Sequence, residues 1–274
     1  MRVTARDGEY DKLFPMKRTI GKLLVGFISK LLQSGFAGTN PFLEFNTWEP
    51  IRINQRRLEH LASLGLPVSR RTVLEVGAGI GNLTSFFLDR GCEVTATEAR
   101  PENLKLLAAR FPKIRTQSLD VDNSDVRFAA PFDVVFCYGL LYHLGQPAKA
   151  IEYMARNCRG LLLLESCVSF GEHEALNPCA EPRDRVSQAV SGEGCRPTRP
   201  WVYANLKKHF EFVYMPTTQP NHEQFPINWS APDAHTSRLS RAIFIGSRTM
   251  LNNPLLVTEV PTRQSREEKA PSCS

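Results

Sequence analysis

Residues 73–81 read Val-Leu-Glu-Val-Gly-Ala-Gly-Ile-Gly, and this stretch constrains the fold more tightly than any other. Val73, Leu74 and Val76 form a short apolar run that predicts a buried strand. Gly77, Gly79 and Gly81 then crowd into a tight turn, where a ligand can approach bare backbone. Residues 82–90, with Leu83, Phe86, Phe87 and Leu88, predict the helix that follows. A second strand, residues 94–98, ends on Glu98, about 20 residues past the first glycine, which is the spacing of a ribose-gripping acid in nucleotide-binding α/β folds.

The ligand that suits this turn follows from its charges. The dinucleotide fingerprint is G-x-G-x-x-G, and here its third glycine position holds Asn82. Glu75 sits two residues before the first glycine, where a carboxylate would repel a pyrophosphate that seeks backbone N–H groups and a helix N-terminus. A cationic adenosyl ligand would instead be attracted. The segment Glu75-Val76-Gly77-Ala78-Gly79-Ile80-Gly81 resembles motif I of the class I S-adenosylmethionine-dependent methyltransferases. The resemblance covers residues 50–165 well and the rest in outline.

That resemblance implies an α/β fold. Its doubly wound, mostly parallel seven-stranded sheet carries helices on both faces and an antiparallel last strand. It implies S-adenosyl-L-methionine as cofactor, met by Glu75, Gly77, Ala78, Gly79, Gly81 and Asn82 around the turn. Glu98 matches the ribose-binding acid, with Ala99 beside it. Residues 114–119 predict a third strand, after which Asp120 and Val121 match the residues that contact the adenine; Asp122 is a rival two positions on. Residues 132–137 predict a fourth strand, whose end brings Cys137 and Tyr138 to the cofactor. The segment before the first strand often closes over the cofactor in this family. Trp48 and Arg52 are the candidates there to cover the methionine end and bind its carboxylate, against plain packing and surface roles.

Methyl transfer needs an acceptor held near attack distance and, for a hydroxyl acceptor, a base. His143, just past the fourth strand, is the first candidate because imidazole titrates in the useful range. Tyr138 and Tyr142 are placed to orient the acceptor, His222 is a second candidate base, and Glu165 ends a fifth strand at residues 160–165. The Asn-Pro-Pro-Tyr/Phe tetrapeptide of amino-group methylases is absent, which argues against N-methylation of DNA or protein amides; the expected substrate is a small molecule or glycan precursor methylated on oxygen. Residues 138–144 are also similar to the matching segment of enzymes that modify the wobble uridine of transfer RNA. A non-catalytic binding module is the other alternative. Cys167, Cys179, Cys195 and His173 match no standard zinc spacing, and no metal is expected.

Charge and cysteine content bound the partners. The net charge is +6, and residues 1–71 carry 12 Lys/Arg against 6 Asp/Glu, while residues 72–274 carry 22 of each. A neutral core argues against a nucleic-acid partner. Seven cysteines, with no C-x-x-C pair, fit the reduced thiols of a cytoplasmic protein. Residues 1–45 are expected to be a basic helical extension. Within it, residues 17–34 space Ile20, Leu23, Leu24, Phe27, Ile28, Leu31 and Leu32 for one helix face among lysines. Such a helix either lies on a membrane surface or packs on its own domain or a partner. Residues 46–258 are the expected methyltransferase domain, with helices over 52–64, 147–157 and 199–210 and strands over 211–215 and 241–247. It carries an inserted lid at 166–198 and a hairpin insertion at 217–240. Residues 259–274 read as a disordered tail. The sequence does not fix the oligomeric state.

Overall fold

In a computed structural model of the chain, residues 36–266 are described. The expected basic helix at 17–34 and the last eight residues of the tail lie outside them. The first described elements are α1 (Phe36–Thr39), α2 (Pro41–Phe45) and α3 (Trp48–Ser63), which precede the sheet. The sheet itself is built from β1 (Thr72–Val76), β2 (Glu93–Glu98), β3 (Arg115–Ser118), β4 (Phe132–Tyr138), β5 (Cys158–Val168), β8 (Phe212–Pro216), β10 (Ser240–Ser247) and β11 (Leu256–Val257). Their order is β11-β8-β10-β5-β4-β1-β2-β3. The run from β3 to β5 is parallel, and β10 is antiparallel to both β5 and β8. The doubly wound sheet with its antiparallel last long strand is as the sequence implied, with β11 added as a two-residue edge.

Two-residue alternation divides the core between the faces of this sheet. Leu74, Val135, Cys137, Leu162, Leu164 and Phe244 pack with α6 (Pro147–Arg156) and α7 (Arg199–Lys207) on one face. Val73, Phe136, Tyr138, Leu163, Ile243 and Ile245 pack with α3 and α4 (Ser85–Leu88) on the other. Burial on both faces is why Leu161 to Leu164 can be an unbroken apolar run. The remaining helix, α5 (Pro101–Arg110), joins β2 to β3.

Three expectations are changed. The helix expected over residues 82–90 is reduced to the four residues of α4, because residues 81–84 form turns and the Thr84 hydroxyl is committed to Glu75. The segment 166–198 is not a structureless loop. Its first three residues extend β5, and the rest is organised by the antiparallel hairpin β6 (Pro178–Ala180) and β7 (Glu193–Cys195). The tail expected to be disordered from residue 259 instead doubles back through residue 266. There β12 (Ser265–Arg266) pairs in parallel with β9 (Thr218–Gln219). Gln264 explains it: its carbonyl accepts from Trp229 Nε1 at 2.8 Å and Gln219 Nε2 at 3.0 Å, while its amide donates to the Pro216 carbonyl at 2.7 Å. Buried polar groups on residues 217–240 need partners, and the tail supplies the shorter of the two bonds made by Gln219 and the bond made by Trp229. Among the described residues no helix is long and apolar enough to cross a membrane, and the six described cysteines are all free.

Candidate functional site

The sheet order reverses between β1 and β4, and a crevice opens outside the carboxyl ends of the parallel strands. The glycine turn forms its floor. Gly77 and Gly79 have φ of +72° and +57°, a region that side chains resist. A Cβ on Gly77 would stand 2.8 Å from Leu140, and one on Gly79 would stand 3.2 Å from Phe45. Both glycines therefore present bare backbone, and both line the two cavities of the crevice. Gly81 does not. A Cβ there would meet Phe111 at 2.5 Å, so this glycine lets α5 and its following loop pack against the turn rather than touching a ligand.

The smaller cavity, about 90 Å³, is lined by Glu98, Ala99, Asp120 and Val121, as expected of an adenosine site. The Glu98 carboxylate accepts from the Gly79 and Arg100 amides, both at 2.9 Å, which ties the turn to the end of β2. Burial pushes its pKa up, against the pull of those amides. Asp122 also borders the cavity, but its oxygens accept from the Gly145 and Gln146 amides. Asp120 instead holds the neighbouring turn, accepting from the Asp122 amide at 3.1 Å. The outer wall, Val186 to Ser191, comes from the β6–β7 hairpin loop. Arg100 donates to the Arg183, Gln188 and Ala189 carbonyls and Asn103 to the Val186 carbonyl, so this wall hangs from the residues that follow Glu98.

The larger cavity, about 520 Å³, adjoins the first across Phe45, Gly77, Gly79, Gly139 and His143. Glu75, Ala78 and Asn82 line its inner end. Glu75 is buried, accepts from the Thr84 hydroxyl at 2.6 Å, and is pushed up to about 7 by burial. Tyr138 lines the same end, and its hydroxyl is buried without a partner. Tyr142, Arg57, Arg196 and Arg241 form the deeper wall. Behind them Glu165, fully buried, accepts from Arg57 at 2.7 Å and Arg241 at 3.1 Å. Burial works to raise its pKa, yet the two guanidiniums hold it below the usual carboxylate range.

His143 sits on a short 3-10 turn, Leu141–His143, between the two cavities. Its Nδ1 is hydrogen-bonded to Glu181 of the β6–β7 hairpin, while Nε2 has no partner among the described residues. Burial lowers the ring's pKa below its ordinary value, against the opposing pull of Glu181. Neutral imidazole with one free nitrogen is a proton acceptor.

Besides Gly81, four expected contacts are not made. Trp48 is 75% exposed and lines neither cavity. Arg52 lines neither cavity; its guanidinium pairs with Glu49 and Glu223. The helical period explains this: α3 turns Glu49, Ile53, Asn54 and Arg57 toward the cavity, so 48 and 52 fall off that face. Cys137 points to the opposite face of β4 from Tyr138 and is sealed in the core. His222 is buried outside both cavities, where its Nδ1 accepts from the Gln224 amide at 3.2 Å and Nε2 lies 3.4 Å from Glu49. Residues not foreseen are Arg57, Glu181, Arg196 and Arg241. Each sits outside the recognisable motif, and only the Cys195-Arg196-Pro197 punctuation after the hairpin hinted at a fixed position.

The residues fit an adenosyl ligand with a cationic methionine end. They offer a bare glycine cradle, an acid at the end of β2, the buried Glu75 carboxylate and the unpartnered Tyr138 hydroxyl. Residues 74–162 match the family model described as a methyltransferase domain. A segment of 109 residues, 38% of this chain, is 31% identical to the ubiquinone biosynthesis O-methyltransferase of Albidiferax ferrireducens and covers 43% of that protein. Another, of 99 residues and 34% of the chain, is 33% identical to an uncharacterized methyltransferase of Mycobacterium bovis, covering 38% of it. The chain thus spans less than half the length of these two relatives. In fold it is similar to the N-terminal domain of EvdMO1 with S-adenosylhomocysteine bound, with a TM-score of 0.54 and 17% identity over 75% of this chain and 83% of that one.

Proposed function

The chain belongs to the class I S-adenosylmethionine-dependent methyltransferases, and from that premise we propose that it methylates a hydroxyl oxygen of a small molecule such as a sugar or other glycan precursor. The carrying observation is the buried His143 at the junction of the two cavities, its Nδ1 taken up by Glu181 and its Nε2 left free among the described residues. When bound, S-adenosylmethionine supplies the methyl carbon, which the acceptor oxygen takes as the carbon–sulfur bond breaks and S-adenosylhomocysteine leaves. The chain's own part is positioning, exclusion of water and acceptance of the hydroxyl proton at His143 Nε2. Glu98 holds the ribose and Glu75 the ammonium group. A cavity of about 520 Å³ suits a small acceptor. Asn54, Gln224, Arg196 and Arg238 on its wall suit one rich in hydroxyls. The test is purified protein, methyl-labelled cofactor and a fractionated metabolite extract, read by mass spectrometry. Label should appear on a hydroxyl-bearing metabolite; cofactor binding with no transfer to any fraction would leave a binding module.

Glu75 also gives this reading a pH signature. Its pKa is raised to about 7 in the folded protein, so its contribution to stability is complete below the ordinary carboxylate range and is lost as pH rises through 7. Binding runs the other way, because a cation beside Glu75 selects the carboxylate. Cofactor affinity should rise as pH climbs toward 7 and level off above it, with proton release on binding below 7. Calorimetry across that range measures both. Glu75→Gln should flatten the dependence, and a wild-type affinity indifferent to pH would remove Glu75 from the ammonium site.

A further inference from the structure

We infer that Glu181, on the β6–β7 hairpin, is a positioning residue that holds His143 in the tautomer able to take a proton from the acceptor. The inference rests on the reading of His143 as the base. Glu181 is buried, and its two oxygens are divided between two tasks. Oε2 accepts from His143 Nδ1 and from the Ala189 amide at 3.0 Å. Oε1 accepts from Arg196, at 3.3 Å from Nη1 and 3.2 Å from Nη2. The carboxylate is therefore fixed from both sides before it meets the ring. With the proton on Nδ1 and committed to Glu181, the lone pair must reside on Nε2 of a ring that lines both cavities.

The fold is built to bring the two residues together. Gly194 of β7 lies so close to the turn carrying His143 that a Cβ there would stand 2.7 Å from the Tyr142 carbonyl and 2.9 Å from Glu181 Oε1. Arg196 also reaches the Tyr142 carbonyl at 3.2 Å and stacks over the Tyr142 ring. The charged groups that act on the His143 ring are Glu181 and Arg196 from the hairpin and its flank and Arg241 from β10; Tyr142 stacks against it with ring centroids 4.0 Å apart. Glu181 is the one anion among them. As the acceptor hydroxyl is deprotonated, its proton moves to Nε2 and the ring becomes cationic. Glu181 stabilises that cation, and the proton passes to solvent after turnover.

Nitrogen NMR of histidine-labelled protein, with His143 assigned by His143→Gln, tests this without any acceptor. Wild-type His143 should show a protonated Nδ1 and a bare Nε2. In Glu181→Gln the ring's titration midpoint should fall by about one pH unit or more, as expected when a contacting anion is removed. Turnover of the acceptor found by the labelling screen should then drop by about 100-fold, while S-adenosylhomocysteine affinity stays within about 3-fold. The acid limb of the rate profile should move down with the midpoint, which a merely structural role would not cause. A wild-type ring protonated at Nε2, or an unmoved midpoint in Glu181→Gln, overturns the inference. Should Glu181→Gln fail to fold, the wild-type tautomer alone decides. If His143→Gln keeps full turnover while the midpoint shift is present, the base assignment falls and the hold of Glu181 on the ring stands.

Discussion

Alanine at position 143 should lower turnover by about two to four orders of magnitude, the range ascribed to a positioned general base. The affinity for S-adenosylmethionine should change far less. The ring borders both cavities, but the contacts we propose for the cofactor are with the glycine turn, Glu75 and Glu98. Steady-state kinetics separate the two quantities: a loss confined to kcat marks an interaction made as the methyl group moves. Near-normal turnover in His143→Ala would end its candidacy. No other histidine among the described residues borders either cavity, so the acceptor would then be one that ionises without help.

Glu98→Ala should have the other large effect, on binding. Oε2 accepts the Gly79 amide, and Oε1 accepts the Arg100 amide and, at a long 3.5 Å, Asn103 Nδ2, a weak contact that a ribose hydroxyl would displace. Two charge-assisted bonds at about 1.5–3 kcal/mol each predict a loss of affinity of at least about 100-fold. The truncation also releases the Gly79 amide, so the turn itself loosens. Calorimetry with S-adenosylhomocysteine measures this, and thermal melting confirms that the domain is intact. Binding unchanged in a folded Glu98→Ala variant would move the ribose elsewhere in the crevice.

The donor half of the site was legible because it is local. Glu75, Gly77, Gly79 and Glu98 lie within one strand–turn–strand unit, and glycine at positive φ leaves a mark that sequence alone reveals. Asn82 was equally readable: it lines the cavity while donating to the Phe45 carbonyl at 2.9 Å. Errors began where a phase had to be guessed. Trp48 and Arg52 are chemically apt, but a helix offers only some of its positions to a cavity, and the apt ones at 53, 54 and 57 were on the other side. Cys137 failed for the equivalent reason in a strand. The partners of His143 were beyond reach altogether. Glu181 and Arg196 are 38 and 53 positions downstream of it, and only the pairing of β6 with β7 brings them near.

The same hairpin sets a limit on how such a protein can change its acceptor. Residues 186–191 wall the smaller cavity, where we propose the adenosine sits, while Glu181 reaches His143, the proposed base, so on that reading a change in this loop bears on both donor and reaction. None of residues 217–240 lines the smaller cavity. They meet the larger cavity through Gln224, Arg238 and Leu239 and are braced from outside by the returning tail. Libraries that randomise positions 238 and 239, and leave the bond of Gln224 to Arg241 in place, would therefore explore new acceptors with the proposed donor grip untouched.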